Sequence, residues 1–276
     1  VVVQGPDGWS ALPDMRNDVE RYNEQISLLC NTEGARLLAH GAEDDPHVQP
    51  VYKVHPAPEP AQLDALAAQI DTIATSHGAP AAFTWDRDRV SLATYVRGMP
   101  VGGRWDRVRQ AIERQAMLAG SASRFSQERG CHYGVGADAY GRFTAPMREM
   151  VGIFTHQETA EKLAGHGRLD DGLAAQVIDA GNRSKKLQRR LTKAVYKVVL
   201  DRVFGAEATD PEAPVHTGTV LGAHRGRLYV HLDAPPLEVK IYADDVGGSG
   251  PLGPGDVIRI RAVSDGASGW RLKPVD

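Results

Sequence analysis

The run from Cys131 to His156 combines side chains that suit a nucleotide site. It reads CHYGVGADAYGRFTAPMREMVGIFTH and places a histidine, glycine turns, two aromatic rings and an arginine around a predicted helix start. Pro146 suits the first turn of that helix because its missing N–H is not needed there, and Thr144 can cap it. Arg148 then falls where free helix amides favour anions, and its guanidinium can bind phosphate through two parallel hydrogen bonds.

Five further residues are candidate nucleotide contacts. Tyr140 and Phe143 can stack on a base or pack in the core. His132 fits a hydrogen-bonded structural histidine better than a catalytic base. Glu24 and Asn31 lie two turns apart on one face of a predicted helix. They could bind a ribose or a metal-bound water, or they could satisfy each other.

Apolar spacing predicts the elements that carry these residues. Helical periodicity predicts helices over Asn17–Ala39 with Gly41 as the stop, Leu63 to about Gly78, Arg104–Ala119, Pro146 to about Gly165, and Asp171–Phe204 with a break near Gly181. Alternating apolar residues between Gly and Pro turns predict five strands over His216–Leu221, Arg227–Leu232, Leu237–Tyr242, Val257–Ala262 and Trp270–Lys273. The fold class is therefore α+β, a mostly helical region followed by a small all-β barrel of OB type.

Composition excludes several classes of protein. The chain has 276 residues, 42% of them hydrophobic, with a formal net charge of -3 and a pI of about 6.4, so any nucleic-acid surface must be local. Two cysteines do not form a disulfide framework, and no apolar run is long enough to span a bilayer. We expect a cytoplasmic protein without a membrane partner. The start at Val1 without a methionine suggests a piece of a longer protein.

The Cys131–His156 run resembles the RNase II family, the RNB-domain exoribonucleases. That family's pattern is His-x-Gly-Leu, then Tyr-x-x-Phe-Thr-Ser-Pro-Ile-Arg-Arg-Tyr-x-Asp-Leu, then His. The residues that match it in order and spacing are His132, Gly134, Tyr140, Phe143, Thr144, Pro146, Arg148 and His156. The family's serine, second basic residue, tyrosine and aspartate are replaced by Ala145, Glu149, Met150 and Gly152. A carboxylate at Glu149 could compete with phosphate for Arg148.

The resemblance extends to both sides of the run. Upstream, Glu24 and Asn31 match the family's Glu…Ala-Asn…Ala helix, and Tyr52-Lys53-Val54-His55 is similar to its Tyr-Arg-Val-His element. Downstream, Pro254-Gly255-Asp256 and the strand after it resemble the RNA-binding OB domain named after ribosomal protein S-one. We therefore predict two domains, residues 1–209 as the C-terminal part of an RNB domain and residues 210–276 as the OB domain.

The resemblance implies hydrolysis of single-stranded RNA from its 3′ end to nucleoside 5′-monophosphates. In that family aspartates hold Mg²⁺, which activates water, and an arginine stabilises the charge of the transition state. Arg148 takes the arginine's place. The aspartate block is absent from this sequence, so the metal ligands are expected on an N-terminal remainder of the RNB domain, and none is assigned here. The alternative is a non-catalytic RNA-binding protein on a degenerate RNB scaffold.

Basic and aromatic residues outside the run are candidate contacts to single-stranded RNA. The last predicted helix carries Lys186, Arg190 and Lys193 on a basic stretch, which is either a solvated face or a track for the RNA backbone. In the predicted barrel, Tyr229 and Lys240 combine the stacking and charge by which OB domains bind single strands.

Overall fold

The computed structural model describes residues 2–5, 8–11, 17–145, 147–166, 169, 172–246, 252–266 and 269–275. The helices are α1 (Asp18–Asp44), α2 (Pro60–Ser76), α3 (Leu92–Gly98), α4 (Asp106–Ala119), α5 (Met150–Ala164) and α6 (Leu173–Glu207). The strands are β1 (Val2–Gly5), β2 (Gly8–Ala11), β3 (Tyr52–Val54), β4 (Arg124–Ser126), β5 (His216–His224), β6 (Arg227–Leu232), β7 (Glu238–Tyr242), β8 (Val257–Ser264) and β9 (Trp270–Pro274). The predicted α+β class is confirmed.

The chain forms two compact units. The first, the motif unit, consists of Met15–Pro58 and Gly120–Lys193 and contains α1, β3, β4, α5 and the first part of α6. The second, the sheet unit, consists of Val1–Asp14, Glu59–Ala119 and Ala194–Asp276. The predicted domain division at residue 209 stays a prediction.

Helix α1 is longer than its sequence pattern predicts. It begins with a reciprocal cap between Asn17 and Glu20, which satisfies two of the free amides at its start. It continues through Gly41 to Asp44 instead of stopping at the glycine. Gly41 is buried where a β-carbon would clash with the side chain of Lys162, so close packing explains this glycine.

Helices α5 and α6 pack against the short β3–β4 ladder. Their shared core contains Val51, Phe125, Val151, Phe154, Ala174 and Val177. Helix α6 runs through Gly181 without the predicted break; Asp171, its predicted start, lies outside the described residues. A β-carbon at Gly181 would lie 2.8 Å from Val151 Cγ2 and 2.9 Å from Phe125 Cδ2, so this glycine permits close helix packing.

The sheet unit contains a five-stranded antiparallel sheet in the order β7-β6-β5-β8-β9. Its alternating apolar residues pack around Phe204 from the end of α6, which is fully buried. Helix α4 is tied to the sheet by Arg107, which donates to Thr219 Oγ1 at 2.6 Å and pairs with Asp233 at 2.6 Å. The assignment of this sheet as an OB-type barrel stays a prediction.

Candidate functional site

Asn31 on α1 anchors the middle of the motif run. Only 1% of it is exposed, and its Nδ2 donates to the Tyr140 hydroxyl at 2.9 Å and to Thr144 Oγ1 at 3.2 Å. Its Oδ1 accepts hydrogen bonds from the backbone amides of Phe143 at 2.7 Å and Thr144 at 3.2 Å. Both ends of the side-chain amide are used inside the protein. Asn31 therefore holds the loop and does not present a surface to RNA.

Tyr140 and His132 pack into the same interior. Both are buried, and their rings lie 4.8 Å apart. Burial first, then the charge of Lys53, lowers the pKa of His132 to about 4, so this histidine is neutral at physiological pH. Among the described residues neither ring nitrogen of His132 has a hydrogen-bond partner, and its role as a hydrogen-bonded structural histidine stays a prediction. The Tyr140 ring is packed in the core, and its predicted stacking on a base stays a prediction.

Phe143 is half-buried and lies against two glycines. A β-carbon at Gly34 would lie 2.6 Å from Phe143 Cζ, and one at Gly141 would lie 2.7 Å from its Cε2. The His156 ring flanks the phenyl ring at 5.8 Å, and His156 Nε2 lies 2.7 Å from the Phe143 carbonyl oxygen. These contacts fix the ring at the edge of the core. Its predicted stacking on a base stays a prediction.

Helix α5 begins later than the sequence predicts. Its first residue is Met150 and its cap is Glu149, whereas the predicted start was Pro146, which lies outside the described residues. Thr144 does not cap the helix, because its hydroxyl and its amide are both bonded to Asn31. Arg148 consequently lies in a turn just before α5, where its side chain is exposed.

The carboxylate of Glu149 is bound by Arg142 rather than left for Arg148. Arg142 Nε donates to Glu149 Oε2 at 2.9 Å, and Arg142 Nη2 donates to Glu149 Oε1 at 2.6 Å. This paired contact is the main reason that the pKa of Glu149 lies below its usual value. The predicted competition for Arg148 is thus relieved by a neighbour that the sequence analysis did not single out.

Two departures from the family pattern, Ala145 and Gly152, lie next to each other. Gly152 is buried in the first turn of α5, directly beneath the loop. A β-carbon there would lie 3.0 Å from the carbonyl oxygen of Ala145 and 3.2 Å from that of Arg142. The loop approaches the helix so closely that a side chain at residue 152 would require the loop to shift by a few tenths of an ångström. In this chain the position is used for packing, and no carboxylate projects from it.

An open cleft of about 430 Å³ lies within the motif unit. Its polar lining comes from the α5 start and from α6, namely Arg148, Glu149, Ser184, Lys185 and Gln188. Phe125 and Val151 provide apolar walls. Arg148 therefore faces a concave surface, as a phosphate-binding arginine requires.

Lys185, which belongs to the basic stretch of α6, is the second cation of this cleft. It is half-buried, with its Nζ 4.1 Å from the centre of the Phe125 ring. Burial, then the charge of Lys53, lowers the pKa of Lys185 to about 8. Burial also lowers the pKa of Lys53, whose Nζ lies 5.8 Å from the centre of the Tyr140 ring. The sequence alone does not distinguish Lys185 from its exposed neighbours, because all of these residues lie in one basic run.

The predicted contacts on α6, and Glu24 on α1, are on the surface. Lys186, Arg190 and Lys193 are exposed and follow one another at helical spacing, so they present a basic face. Glu24 is exposed, whereas Asn31 is buried on the same helix. The structure therefore separates this pair into different environments.

Tyr229 and Lys240 are brought together in the sheet unit. They are directly opposite each other on β6 and β7, and Lys240 Nζ lies 5.2 Å from the centre of the Tyr229 ring. The guanidinium of Arg114 lies 6.0 Å from the same ring and pairs with Glu238 at 2.9 Å. An aromatic ring with cations beside it suits a single strand, and its role stays a prediction.

The residues present do not fit the magnesium that the resemblance implies. In the part of the chain that the structure describes, no group of three or more His, Cys, Asp or Glu residues could hold a metal ion. Glu149 is the carboxylate in the cleft lining, and both of its oxygens accept hydrogen bonds from Arg142. Mg²⁺ needs oxygen ligands, whereas this cleft is dominated by cations.

Comparisons with known proteins agree with this scaffold. No protein-family model matches the sequence. Exoribonuclease 2 of Shigella dysenteriae is 26% identical over 203 residues, which cover 71% of this chain and 29% of the relative. The chain thus spans about three tenths of the length of this curated relative.

Solved structures share the fold. RNase R of Mycoplasma genitalium in complex with ribose-methylated single-stranded RNA aligns with a TM-score of 0.68 and 14% identity, covering 95% of this chain and 42% of that one. Yeast Ssd1, a pseudonuclease, aligns with a TM-score of 0.66 and 16% identity, covering 94% of this chain and 30% of that one.

The fold and the relatives define an exoribonuclease-type scaffold. The chain is a homologue of part of an RNase II-family protein, which confirms the resemblance carried by the Cys131–His156 run. In the described ranges, no helix is both long and apolar enough to cross a membrane.

Proposed function

We propose that this chain forms the phosphate-binding part of the active site of a 3′-to-5′ exoribonuclease that hydrolyses single-stranded RNA to nucleoside 5′-monophosphates. The observation that carries the proposal is the cleft in which Arg148 and Lys185 face the same concave surface, on a scaffold shared with RNase R. Guanidinium and ammonium groups bind phosphate oxygens by charge-assisted hydrogen bonds.

Arg148 has the freedom that this role requires. It is exposed at the cleft, and the adjacent carboxylate of Glu149 is occupied by Arg142. A guanidinium so placed can contact a phosphate and stabilise the charge that develops as the phosphodiester is attacked. We propose that ligands for the metal lie in sequence outside these 276 residues, since the chain covers only 29% of its curated relative. A cytoplasmic location remains a prediction.

A second candidate is an RNA-binding protein without turnover. Two observations favour it: the similarity to Ssd1, a pseudonuclease, and the packing of Gly152 against the loop where the family pattern has an aspartate. Under this reading the cleft and the basic face of Lys186, Arg190 and Lys193 still bind single-stranded RNA.

An RNA-binding and cleavage assay on residues 1–276 and on the intact parent protein tests both candidates. We expect residues 1–276 to bind a labelled single-stranded oligoribonucleotide without shortening it, with an affinity that falls steeply with salt because counterions are released. The parent protein should shorten the RNA stepwise from its 3′ end in Mg²⁺. Arg148→Ala should slow single-turnover cleavage by roughly 10²–10³-fold, by analogy with other donors to developing charge.

The control is Arg97→Ala, which removes an exposed arginine of α3 in the sheet unit. Binding without shortening by the parent protein would favour the second candidate. Failure of both proteins to bind single-stranded RNA would reject both candidates.

A further inference from the structure

Lys185 lies over an aromatic ring on a strand that pairs with the strand of a second lysine. Phe125 lies opposite Lys53 in the β3–β4 ladder, and the Nζ of Lys185 lies 4.1 Å from the centre of its ring. Lys185 is half-buried and lines the cleft together with Arg148. The ammonium group of Lys185 on α6 is held over this ring. Its position as a hydrogen-bond donor is therefore more restricted than that of the exposed lysines further along α6.

Cations outnumber acids among the groups that act on Lys185. The cations are Lys53, Arg142 and Arg189, the acid is Glu149, and Arg148 lines the same cleft. Arg142 already binds both oxygens of Glu149. A cleft lined by two cations, Arg148 and Lys185, favours an anion as its ligand.

We propose that Lys185 binds one phosphate group of single-stranded RNA in this cleft directly and without a divalent metal, and that it takes up a proton as the phosphate binds. The proposal rests on the proposed function and names a contact within it that the sequence motif does not contain. The proposal follows from the poor fit of these residues to magnesium. Cations occupy the cleft, and no metal-binding carboxylate cluster lies among the described residues.

The proton uptake follows from the charges around Lys185. Burial and the charge of Lys53 place its pKa at about 8 in the free protein, and a bound phosphate would raise that pKa by favouring the ammonium form. Affinity is therefore highest below pH 8 and falls as the pH rises through this value. If only the ammonium form binds, affinity drops about tenfold between about pH 7 and about pH 9.

Other groups could titrate in the same range. The groups that act on Lys185 are Lys53 from β3, Arg142 and Glu149 from the loop, and Arg189 from α6, while Arg148 lines the same cleft. The charge of Lys185 also acts on His132, whose pKa of about 4 lies below this range, and the pKa of Lys53 is lowered too. A variant that fixes the charge at residue 185 separates these contributions.

The experiment measures binding of labelled oligoadenylate to residues 1–276 by fluorescence anisotropy across pH, with Mg²⁺ or with EDTA. Oligoadenylate is the probe because neither adenine nor the phosphodiester titrates in this pH range. The variants are Lys185→Met and Lys185→Arg, and the charge-matched control is Arg97→Met on α3, whose side chain is exposed.

We expect equal affinity in Mg²⁺ and EDTA, a loss of about tenfold or more in Lys185→Met below pH 8, and no effect of Arg97→Met. Lys185→Arg should bind as tightly as the unaltered chain near pH 7 and lose the dependence on pH, because a guanidinium stays charged. Calorimetry in buffers of different ionisation enthalpy should show proton uptake that this variant lacks.

Three results would overturn the proposal. Binding that requires Mg²⁺ would place a metal between the lysine and the phosphate. A pH dependence that persists in Lys185→Arg would assign it to Lys53. RNA binding that Lys185→Met leaves intact would reject the contact and leave the proposed function standing, whereas absence of RNA binding by the unaltered chain would reject the proposed function itself.

Discussion

At the scale of single residues, the motif run divides into residues that build the loop and residues that face the cleft. Asn31, Tyr140 and His132 are buried and hold the loop, whereas Arg148 is exposed at the cleft. A binding motif can therefore match in sequence while many of its side chains act on the loop and not on the ligand. The exposed arginine depends on the buried amide for its position.

Asn31→Ala tests this dependence. The substitution removes hydrogen bonds to Tyr140 and Thr144 and leaves buried loop amides without an acceptor, so we expect a loss of about 2–4 kcal/mol of unfolding free energy. Urea unfolding followed by far-UV circular dichroism measures the loss. Asn23→Ala is the control, because Asn23 is exposed on the same helix. An equal loss of unfolding free energy in the two variants would show that the side-chain amide of Asn31 does not hold the loop.

The sequence predicted the identity of the loop residues better than their environments. Spacing placed Glu24 and Asn31 on one face of a helix, but whether an asparagine faces RNA or the protein depends on tertiary burial. The pairing of Arg142 with Glu149 was not foreseen, since the two residues lie on either side of a turn whose path the sequence does not define. Lys185 differs from Lys186 only in the side of α6 that it occupies, and only packing reveals that difference.

At the scale of elements, glycines within helices mark close approaches between them. Periodicity located α1, α5 and α6, yet it predicted a stop at Gly41 and a break at Gly181, and both helices pass through these residues. A glycine ends a helix when the chain must turn and is kept inside one when a neighbour packs closely. Local sequence does not distinguish the two cases, because the neighbour comes from a distant segment.

Gly181→Ala distinguishes them by experiment. In an open helix this change stabilises by roughly 0.5–1 kcal/mol, but here the new methyl group would press on Val151 and Phe125. We expect a net destabilisation of about 1–3 kcal/mol, measured by thermal or urea unfolding. The control is Gly98→Ala in α3, where nothing lies within 4 Å of the added carbon and the change should be neutral or stabilising. If Gly181→Ala stabilised the protein, the contact with Val151 and Phe125 would relax without a cost in unfolding free energy.

At the scale of the whole molecule, the sheet and the end of α6 share one core. Phe204 is fully buried among the strands, and its ring lies 5.3 Å from that of Trp270. The Tyr196 hydroxyl donates to the backbone oxygen of Glu238 at 2.7 Å. Composition shifts after residue 204, so the sequence placed the division in the linker at residue 209. From this packing we propose that the stable unit begins further upstream, within the helix.

Two fragments test where the stable unit begins. Residues 194–276 keep Phe204 and Tyr196, whereas residues 210–276 lose both, so we expect the longer fragment to be more stable by at least about 3 kcal/mol. Each fragment retains Trp270 as its one tryptophan, and its fluorescence in a urea titration reports on the core. In the longer fragment, Phe204→Ala should remove most of the gain, whereas Val198→Ala should not, because Val198 is 58% exposed. Equal stability of the two fragments would show that the strands fold without the helix and would support the division at residue 209.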